Sequence, residues 1–253
     1  MPVFDKFPTQ TIRLILPNAI TGGAILAGYI SILETFHGEY VIAAGFIIIA
    51  CILDMLDGGV ARIMKASTEF GEQFDSLADM VNYGVAPALM FYFLYFQEWG
   101  FIGAVLSFLP VCCAGIRLAR FNVAADPDIP TKYFVGLPTT IAALVLAGFV
   151  IFVNQYPYDA TLQAAFLTIM IAFLMVSNIH YEKGNILSIR YILKTRRIIT
   201  GILIILSLIM FPTIAFFAWG LLYILYGLAR SVFRILLHGD DEGVEAEIDD
   251  IAT

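Results

Sequence analysis

Long uncharged apolar stretches, separated by short polar connections, dominate the pattern of the chain. Five of them have a length close to the roughly 20 residues that a helix needs to cross a hydrocarbon core of about 30 Å. These stretches are Leu14–Leu33, Met80–Gln97, Trp99–Ile116, Tyr133–Tyr158 and Ala160–Ile179. The pattern predicts one transmembrane helix in each stretch.

Two further regions have a length suitable for membrane-spanning helices only if their boundaries are changed. Tyr40–Leu53 is too short alone and reaches spanning length only if its helix continues through Asp54 toward Arg62. Ile198–Ala229 is uncharged for 32 residues, which would make a single helix of about 48 Å. We therefore divide this region at Phe211–Pro212, because proline breaks the helical pattern. The chain is then predicted to form eight spans, with both termini on one side of the membrane.

Composition and charge are those of a polytopic membrane protein. Of the 253 residues, 60% are apolar and 14% are charged, whereas a soluble domain has roughly half and about a quarter, respectively. Seven of the 21 acids lie in residues 240–250, so the net charge of −7 comes from the tail, and the remaining chain has 14 acids and 14 bases. We expect residues 1–238 to form a single integral membrane domain and residues 239–253 to form an acidic, disordered tail.

The positions of the basic residues orient the predicted spans. With eight spans, all 14 lysines and arginines fall on the side that carries both termini. Cytoplasmic connections of membrane proteins are enriched in these two residue types. Both termini are therefore predicted to lie on the cytoplasmic side of the cell membrane.

Four aspartates at the cytoplasmic ends of the second and third spans form the candidate functional group. Asp54 and Asp57 are three residues apart, and Asp75 and Asp79 are four apart, so each pair projects from one helix face. Ionised carboxylates near a membrane interior are costly without a compensating charge. Because the segment has no histidine or cysteine, the all-oxygen set suits hard divalent cations, a pair of which can serve phosphoryl chemistry.

A structural interpretation of the same aspartates is that they cap helices or pair with Arg62 and Lys65, which we expect in the connecting loop. It does not explain why Asp54 falls inside a stretch that is too short to span without it. Gly58 and Ala61 remove side chains from the aspartate face, so that a nucleotide or phosphate can approach the backbone. These residues therefore favour metal-assisted phosphoryl chemistry.

The spacing D-x2-D-G-x2-A-R-x8-G-x3-D-x3-D, over residues 54–79, resembles the signature of the CDP-alcohol phosphotransferase family at all eight fixed positions. The resemblance implies an integral membrane enzyme with a six-helix core, to which the predicted C-terminal hairpin would be added, and a homodimer. It also implies that a second alcohol displaces CMP from a CDP-alcohol with the help of two divalent cations, Mg²⁺ or Mn²⁺.

The resemblance assigns roles to individual residues of the signature. Asp54, Asp57 and Asp75 would be metal ligands, and Asp79 would be both a ligand and the general base. The CDP site would be formed by the other fixed positions of the signature and by two polar residues at the cytoplasmic end of the first span. These residues are Gly58, Ala61, Arg62, Gly71, Asn18 and Thr21. Helix capping is the alternative role for the last two.

Further segments resemble the membrane-bound phosphatidylserine synthases within this family. They are Leu16–Thr21, Phe74–Asp79, Asn82–Ala88, Arg117–Asn122 and Phe134–Pro138. This resemblance implies CDP-diacylglycerol as the donor and L-serine as the acceptor. The alternatives with the same chemistry are family members that use glycerol phosphate, inositol phosphate or an archaeal CDP-diether lipid.

Basic residues near the cytoplasmic end of the fourth span are the candidate anion-binding group. Arg117 and Arg120 are one helical turn apart, and Lys132 follows them. A guanidinium presents a planar fork of donors that can bind the diphosphate of the lipid or the carboxylate of serine. The alternative role is anchoring of the protein to anionic lipid headgroups.

A metal-ion transporter is the alternative from a different functional class. It would be expected to have carboxylates at mid-membrane and in both halves of the protein, whereas all four aspartates are predicted at the edge of one leaflet. We expect the partners to be CDP-diacylglycerol, L-serine, membrane lipids and a second copy of the chain, with no nucleic acid.

Overall fold

The computed structural model describes residues 7–64, 68–124, 133–156, 158–182, 206–207 and 212–238. Lys65, Lys132 and the acidic tail of residues 239–253 lie outside these ranges, so the predictions for them stay predictions. Within the ranges the chain is almost entirely helical, which confirms the predicted all-α membrane class.

The described ranges contain eight α-helices. In chain order they are α1 (Phe7–Phe36), α2 (Tyr40–Met64), α3 (Glu69–Asp79), α4 (Ala86–Phe91), α5 (Gly100–Ala124), α6 (Thr139–Val153), α7 (Thr161–Val176) and α8 (Pro212–His238). Two π-helical turns flank α4, Met80–Val85 and Tyr92–Phe96, and a 3₁₀ turn, Gln97–Trp99, precedes α5. Two short strands, β1 (Tyr133–Val135) and β2 (His180–Glu182), pair antiparallel, with Phe134 opposite Tyr181.

Three helical segments in the described ranges are long and apolar enough to cross a membrane: Ile15–Phe36, Tyr40–Met64 and Glu69–Val123. The third contains 55 residues and reverses at Gly100, whose φ is +55°, so that α5 packs back against α4 and its π turns. The helix α8 begins at Pro212, the position at which the sequence predicts a break. The count of eight spans stays a prediction.

The second span continues as predicted. The helix α2 extends through Asp54 and Asp57 to Met64, so both carboxylates belong to a single helix. The expectation that Arg62 lies in the connecting loop is wrong, because it occupies the last turn of α2 and its Nε donates to the Gly58 carbonyl oxygen at 3.0 Å. A cation there interacts favourably with the helix C-terminus.

The predicted span Tyr133–Tyr158 is wrong at both ends. Its first residues form β1, and α6 begins only at Thr139 and ends at Val153. Gly136 separates strand from helix with a φ of +79°, a backbone conformation that favours glycine. The uncharged pattern did not reveal this boundary, because strand and helix here are equally apolar.

Small residues allow the helices to pack closely around the candidate site. Ala24 and Ala27 of α1, like Ala43 and Ala44 of α2, are buried, and α1 and α2 form the most extensive contact between helices. Small side chains let helix backbones approach in a membrane protein. The largely buried helix α6 lies between α2 and α8. The polar segments of α1, α2 and α3 around the candidate site are therefore held by a well-packed apolar bundle.

We expect Gly136→Ala to lower the thermal stability of the purified protein. The Gly136 N–H donates to the Ile179 carbonyl oxygen at 2.8 Å, and an added Cβ would clash with the carbonyl oxygen of Met175. Such a backbone conformation costs on the order of 1–3 kcal/mol for a residue other than glycine. Thermal unfolding in detergent measures the effect. Gly45→Ala is the control, because no described residue lies within 4 Å of its added Cβ, and an equal melting temperature for both variants would contradict the prediction.

Candidate active site

Three of the four aspartates converge at the ends of α2 and α3. One carboxylate oxygen from each of Asp54, Asp57 and Asp75 lies within 4.8 Å of the other two. Asp57 is buried, and the other two are half-buried. The two aspartate pairs thus lie on successive helices, as the sequence predicts. Three of the four carboxylates form one cluster.

The N-terminus of α3 sets the position of its aspartates. Thr68 is the N-cap, with extended backbone, and its Oγ1 accepts a hydrogen bond from the Gly71 N–H at 3.0 Å. A Cβ on Gly71 would lie 3.1 Å from Thr68 Oγ1 and 3.4 Å from Asn18 Oδ1. Glycine at this position therefore lets α3 approach α1 closely. The sequence contained a signal for the cap, since Thr68 precedes a first turn with Glu69 and Glu72.

A cleft of about 170 Å³ opens beside the three carboxylates. All six residues that the sequence assigns to the CDP site line it, as do Asp57 and Asp75. The full lining is Pro17, Asn18, Thr21, Asp57, Gly58, Ala61, Arg62, Thr68, Gly71, Glu72 and Asp75. No atom of the described residues lies within 4 Å of a Cβ built on Gly58, so within this part of the structure the helix backbone is open to the cleft at that point. Sequence reasoning missed the contributions of Pro17, Thr68 and Glu72.

Thr21 fixes one of the clustered carboxylates. Its hydroxyl oxygen lies 2.6 Å from Asp57 Oδ2 and 3.1 Å from the Pro17 carbonyl oxygen, so the shorter contact directs the proton to the carboxylate. Helix capping, the alternative role for Asn18 and Thr21, is wrong, because both residues lie in the interior of α1. Thr21 is instead a buried donor that orients a candidate ligand.

The cluster fits a hard divalent cation. Asp75 Oδ1 is buried and has no hydrogen-bond partner among the described residues. An unpaired buried carboxylate oxygen is costly, and three carboxylates this close together repel one another unless a cation is present. All three side chains offer oxygen, the donor that Mg²⁺ and Mn²⁺ prefer. These residues therefore provide a suitable site for such an ion.

Asp79, the last residue of α3, is not among the three carboxylates that lie within 4.8 Å of one another. Its Oδ2 accepts a hydrogen bond from Thr139 Oγ1 at 3.5 Å, and Thr139 Oγ1 accepts one from Arg117 Nη1 at 3.4 Å. Thr139 is 1% exposed and Arg117 is 8% exposed. Sequence reasoning missed Thr139. The one signal for it was that this polar residue directly follows the segment Phe134–Pro138.

Of the other two predicted anion-binding residues, Arg120 is placed differently, and Lys132 lies outside the described residues. The exposed Arg120 does not line the cleft, and its guanidinium donates to the Val176 carbonyl oxygen at 3.0 Å and to Asn178 Oδ1 at 3.2 Å. It therefore holds the C-terminal end of α7. Asn122 Nδ2 donates to Ser76 Oγ at 3.0 Å and ties α5 to α3. Within the segment Arg117–Asn122, Arg117 is thus the residue that faces the aspartates.

The π turn after Asp79 brings α3 and α4 against α1. Asn82 is buried in this turn, and a Cβ on Gly28 of α1 would clash with its Oδ1. The wider helical turn and the missing side chain at Gly28 let the two segments touch. Such π turns occur frequently at functional sites.

Comparison with known proteins identifies clear relatives. The sequence model of the CDP-alcohol phosphatidyltransferase family matches residues 14–177. A Helicobacter pylori (strain J99) protein named CDP-diacylglycerol–serine O-phosphatidyltransferase is 36% identical over 226 residues, which are 88% of this chain and 93% of the relative. A Methanocaldococcus jannaschii protein of the same name is 31% identical, over 82% of this chain and 94% of the relative. An archaetidylserine synthase of Methanothermobacter thermautotrophicus is 34% identical, over 71% and 73%.

Proposed function

The chain belongs to the CDP-alcohol phosphatidyltransferase family, and from this premise we propose that it transfers the phosphatidyl group of CDP-diacylglycerol to the hydroxyl of L-serine, with release of CMP. One observation carries the proposal. The cleft beside the three clustered aspartates is lined by every residue assigned to the CDP site. The names of the relatives support serine as the acceptor. Family membership favours this enzyme over a metal-ion transporter.

The clustered aspartates would hold the divalent cations. We propose Asp54, Asp57 and Asp75 as ligands, with Asp79 as a further ligand, for two Mg²⁺ or Mn²⁺ ions. When bound, such ions offset negative charge on a diphosphate and on the CMP leaving group. Thr21 orients Asp57 for this role through its 2.6 Å hydrogen bond.

The remaining cleft residues would position the donor. The space over Gly58 and Ala61 lets a nucleotide lie against the backbone of α2. The Nε of Arg62 donates to the Gly58 carbonyl oxygen, and the two terminal NH₂ groups of the guanidinium would face the diphosphate from the cleft wall. Asn18 closes the opposite wall from α1.

Asp79 would act as the general base. It takes the proton from the serine hydroxyl, and the serine oxygen forms a bond to the phosphorus that carries the diacylglycerol group. The bond from that phosphorus to the CMP oxygen breaks, and CMP leaves with the electron pair. Arg117, which is buried and donates to the Thr139 hydroxyl that contacts Asp79, would attract the carboxylate of serine. Arg120 and Lys132 stay predictions as anion-binding residues.

The protein is an integral membrane protein, and we propose that the cleft and both termini face the cytoplasm. The distribution of the 14 bases supports this orientation. A homodimer, as the resemblance implies, stays a prediction. The alternatives are glycerol phosphate or inositol phosphate as the acceptor, and a CDP-diether lipid as the donor.

We expect purified protein in detergent to release CMP from CDP-diacylglycerol only when L-serine and Mg²⁺ or Mn²⁺ are both present. Each acceptor is supplied alone, as serine, glycerol 3-phosphate or inositol phosphate, and CMP is quantified by chromatography. A CDP-diether donor is tested in parallel with serine. Release with glycerol 3-phosphate or inositol phosphate but not with serine would contradict the proposed acceptor.

A further inference from the structure

Thr139 lies between the proposed base and a buried arginine. It is the first residue of α6, and its Oγ1 is 3.5 Å from Asp79 Oδ2 and 3.4 Å from Arg117 Nη1. The three side chains come from α3, α5 and α6. Hydrogen bonds of catalytic groups are often this long before substrate binds and shorten in the complex.

The chemistry of the three groups fixes the direction of both hydrogen bonds. A guanidinium only donates, an ionised carboxylate only accepts, and a hydroxyl has one proton to give and two lone pairs to receive. Thr139 can therefore make both contacts only by accepting from Arg117 and donating to Asp79. Its single proton is committed to Asp79 Oδ2.

Two other buried threonines, Thr35 and Thr168, use their hydroxyls differently. Thr35 donates to the Ser31 carbonyl oxygen at 2.9 Å, and Thr168 donates to the Ala164 carbonyl oxygen at 2.7 Å, so each satisfies its hydroxyl within its own helix. Thr139 starts its helix and reaches two side chains on other elements. The different bonding of Thr139 points to a role beyond packing.

We propose that Thr139 is a positioning residue for Asp79. This inference rests on the proposed function, in which Asp79 receives the proton of serine. By holding Oδ2 toward Arg117, the hydroxyl of Thr139 leaves Oδ1 as the oxygen that faces the reaction. Thr139 does not line the cleft beside the clustered carboxylates. Loss of its hydroxyl should therefore reduce kcat and leave the KM for CDP-diacylglycerol nearly unchanged.

Two substitutions at Thr139 separate positioning from packing. Thr139→Val keeps the volume and removes the hydroxyl, whereas Thr139→Ser keeps the hydroxyl and removes a methyl group. We expect Thr139→Val to lower kcat by about 10- to 100-fold, the usual effect of losing a group that orients a ligand or base. Thr139→Ser should stay within about 3-fold of wild type, whereas a packing role alone predicts the reverse order.

Matched variants keep the test valid if one protein folds poorly. Thr139→Ala and Thr139→Ser are similar in volume and differ by the hydroxyl, so this pair repeats the comparison without valine. Thr168→Val removes an equally buried hydroxyl that bonds to its own helix, and we expect it to keep the wild-type kcat. Equal kcat values for the serine and alanine variants would overturn the proposal.

Binding of Mn²⁺, measured by electron paramagnetic resonance on the purified protein, distinguishes failure of this inference from failure of the proposed function. If no acceptor supports CMP release, the proposed function fails. Weaker Mn²⁺ binding by the valine and alanine variants than by the serine variant would then still support positioning of Asp79. If no acceptor supports CMP release, equal Mn²⁺ affinities of these variants would overturn the positioning role of Thr139. If the protein is active, a valine variant with wild-type kcat would overturn it.

Discussion

Asp75→Asn is expected to reduce the rate of CMP release by about 10³-fold or more, equivalent to about 4 kcal/mol of lost transition-state stabilisation. Asp75 has an oxygen within 4.8 Å of oxygens from Asp54 and Asp57, and in the described part of the chain its buried Oδ1 has no hydrogen-bond partner. Asparagine has the same shape, but it lacks the charge and replaces one oxygen with an NH₂ group that cannot bind a cation. Initial rates with saturating serine and Mg²⁺ measure the effect.

A matched control for Asp75→Asn lies on the same helix. Glu69→Gln removes a charge from the exposed first turn of α3 at a position that does not line the cleft. We expect it to keep the wild-type rate. Because asparagine relieves repulsion among the three carboxylates, the metal-free Asp75→Asn protein should melt no lower than wild type. A folded Asp75→Asn protein with a rate within tenfold of wild type would contradict the assignment of Asp75 as a ligand.

Removal of divalent cations is expected to abolish CMP release and to lower the melting temperature. The three clustered carboxylates repel one another when no cation is present. An ion that binds only the folded protein stabilises it by about 2.7 kcal/mol at a concentration 100 times its Kd. Purified protein is treated with EDTA, and both properties are measured before and after Mg²⁺ or Mn²⁺ is restored.

The same EDTA treatment and restoration of Mg²⁺, applied to Asp75→Asn, provides the control for the prediction on cation removal. Loss of one of the three clustered carboxylates should make the melting temperature nearly insensitive to Mg²⁺, whereas Glu69→Gln should respond like wild type. Full activity in EDTA would contradict a catalytic role for the cation. An unchanged melting temperature on addition of Mg²⁺ would contradict binding at the three aspartates.

Much of the candidate site could be predicted from spacing along the chain. Asp54 and Asp57 share a helix face, and the helix continues through them because a shorter helix would not span. Gly58 and Ala61 follow on the same helix, so they necessarily lie near the carboxylates. The neighbouring residues of the first span, Asn18 and Thr21, also line the cleft as expected.

Other features could not be predicted, because they depend on contacts between distant segments. The predicted role of Arg120 rested on its spacing from Arg117, yet the two guanidinium groups have different partners. Arg120 contacts the end of α7, 56 residues away along the chain, whereas Arg117 turns toward Thr139 on α6. The strand at the start of the fifth predicted span exists because β2 pairs with it.

The sequence by itself determined the helical membrane class, the grouping of the aspartates and most residues of the cleft. These follow from hydrophobic periodicity and from side chains a few residues apart on one helix, which have little freedom to separate. Only the tertiary structure decided that three of the four carboxylates lie within 4.8 Å of one another and that Asp79 meets Thr139, 60 residues later. The reason is physical: close packing of helices, rather than periodicity along any one of them, selects which distant polar groups become neighbours.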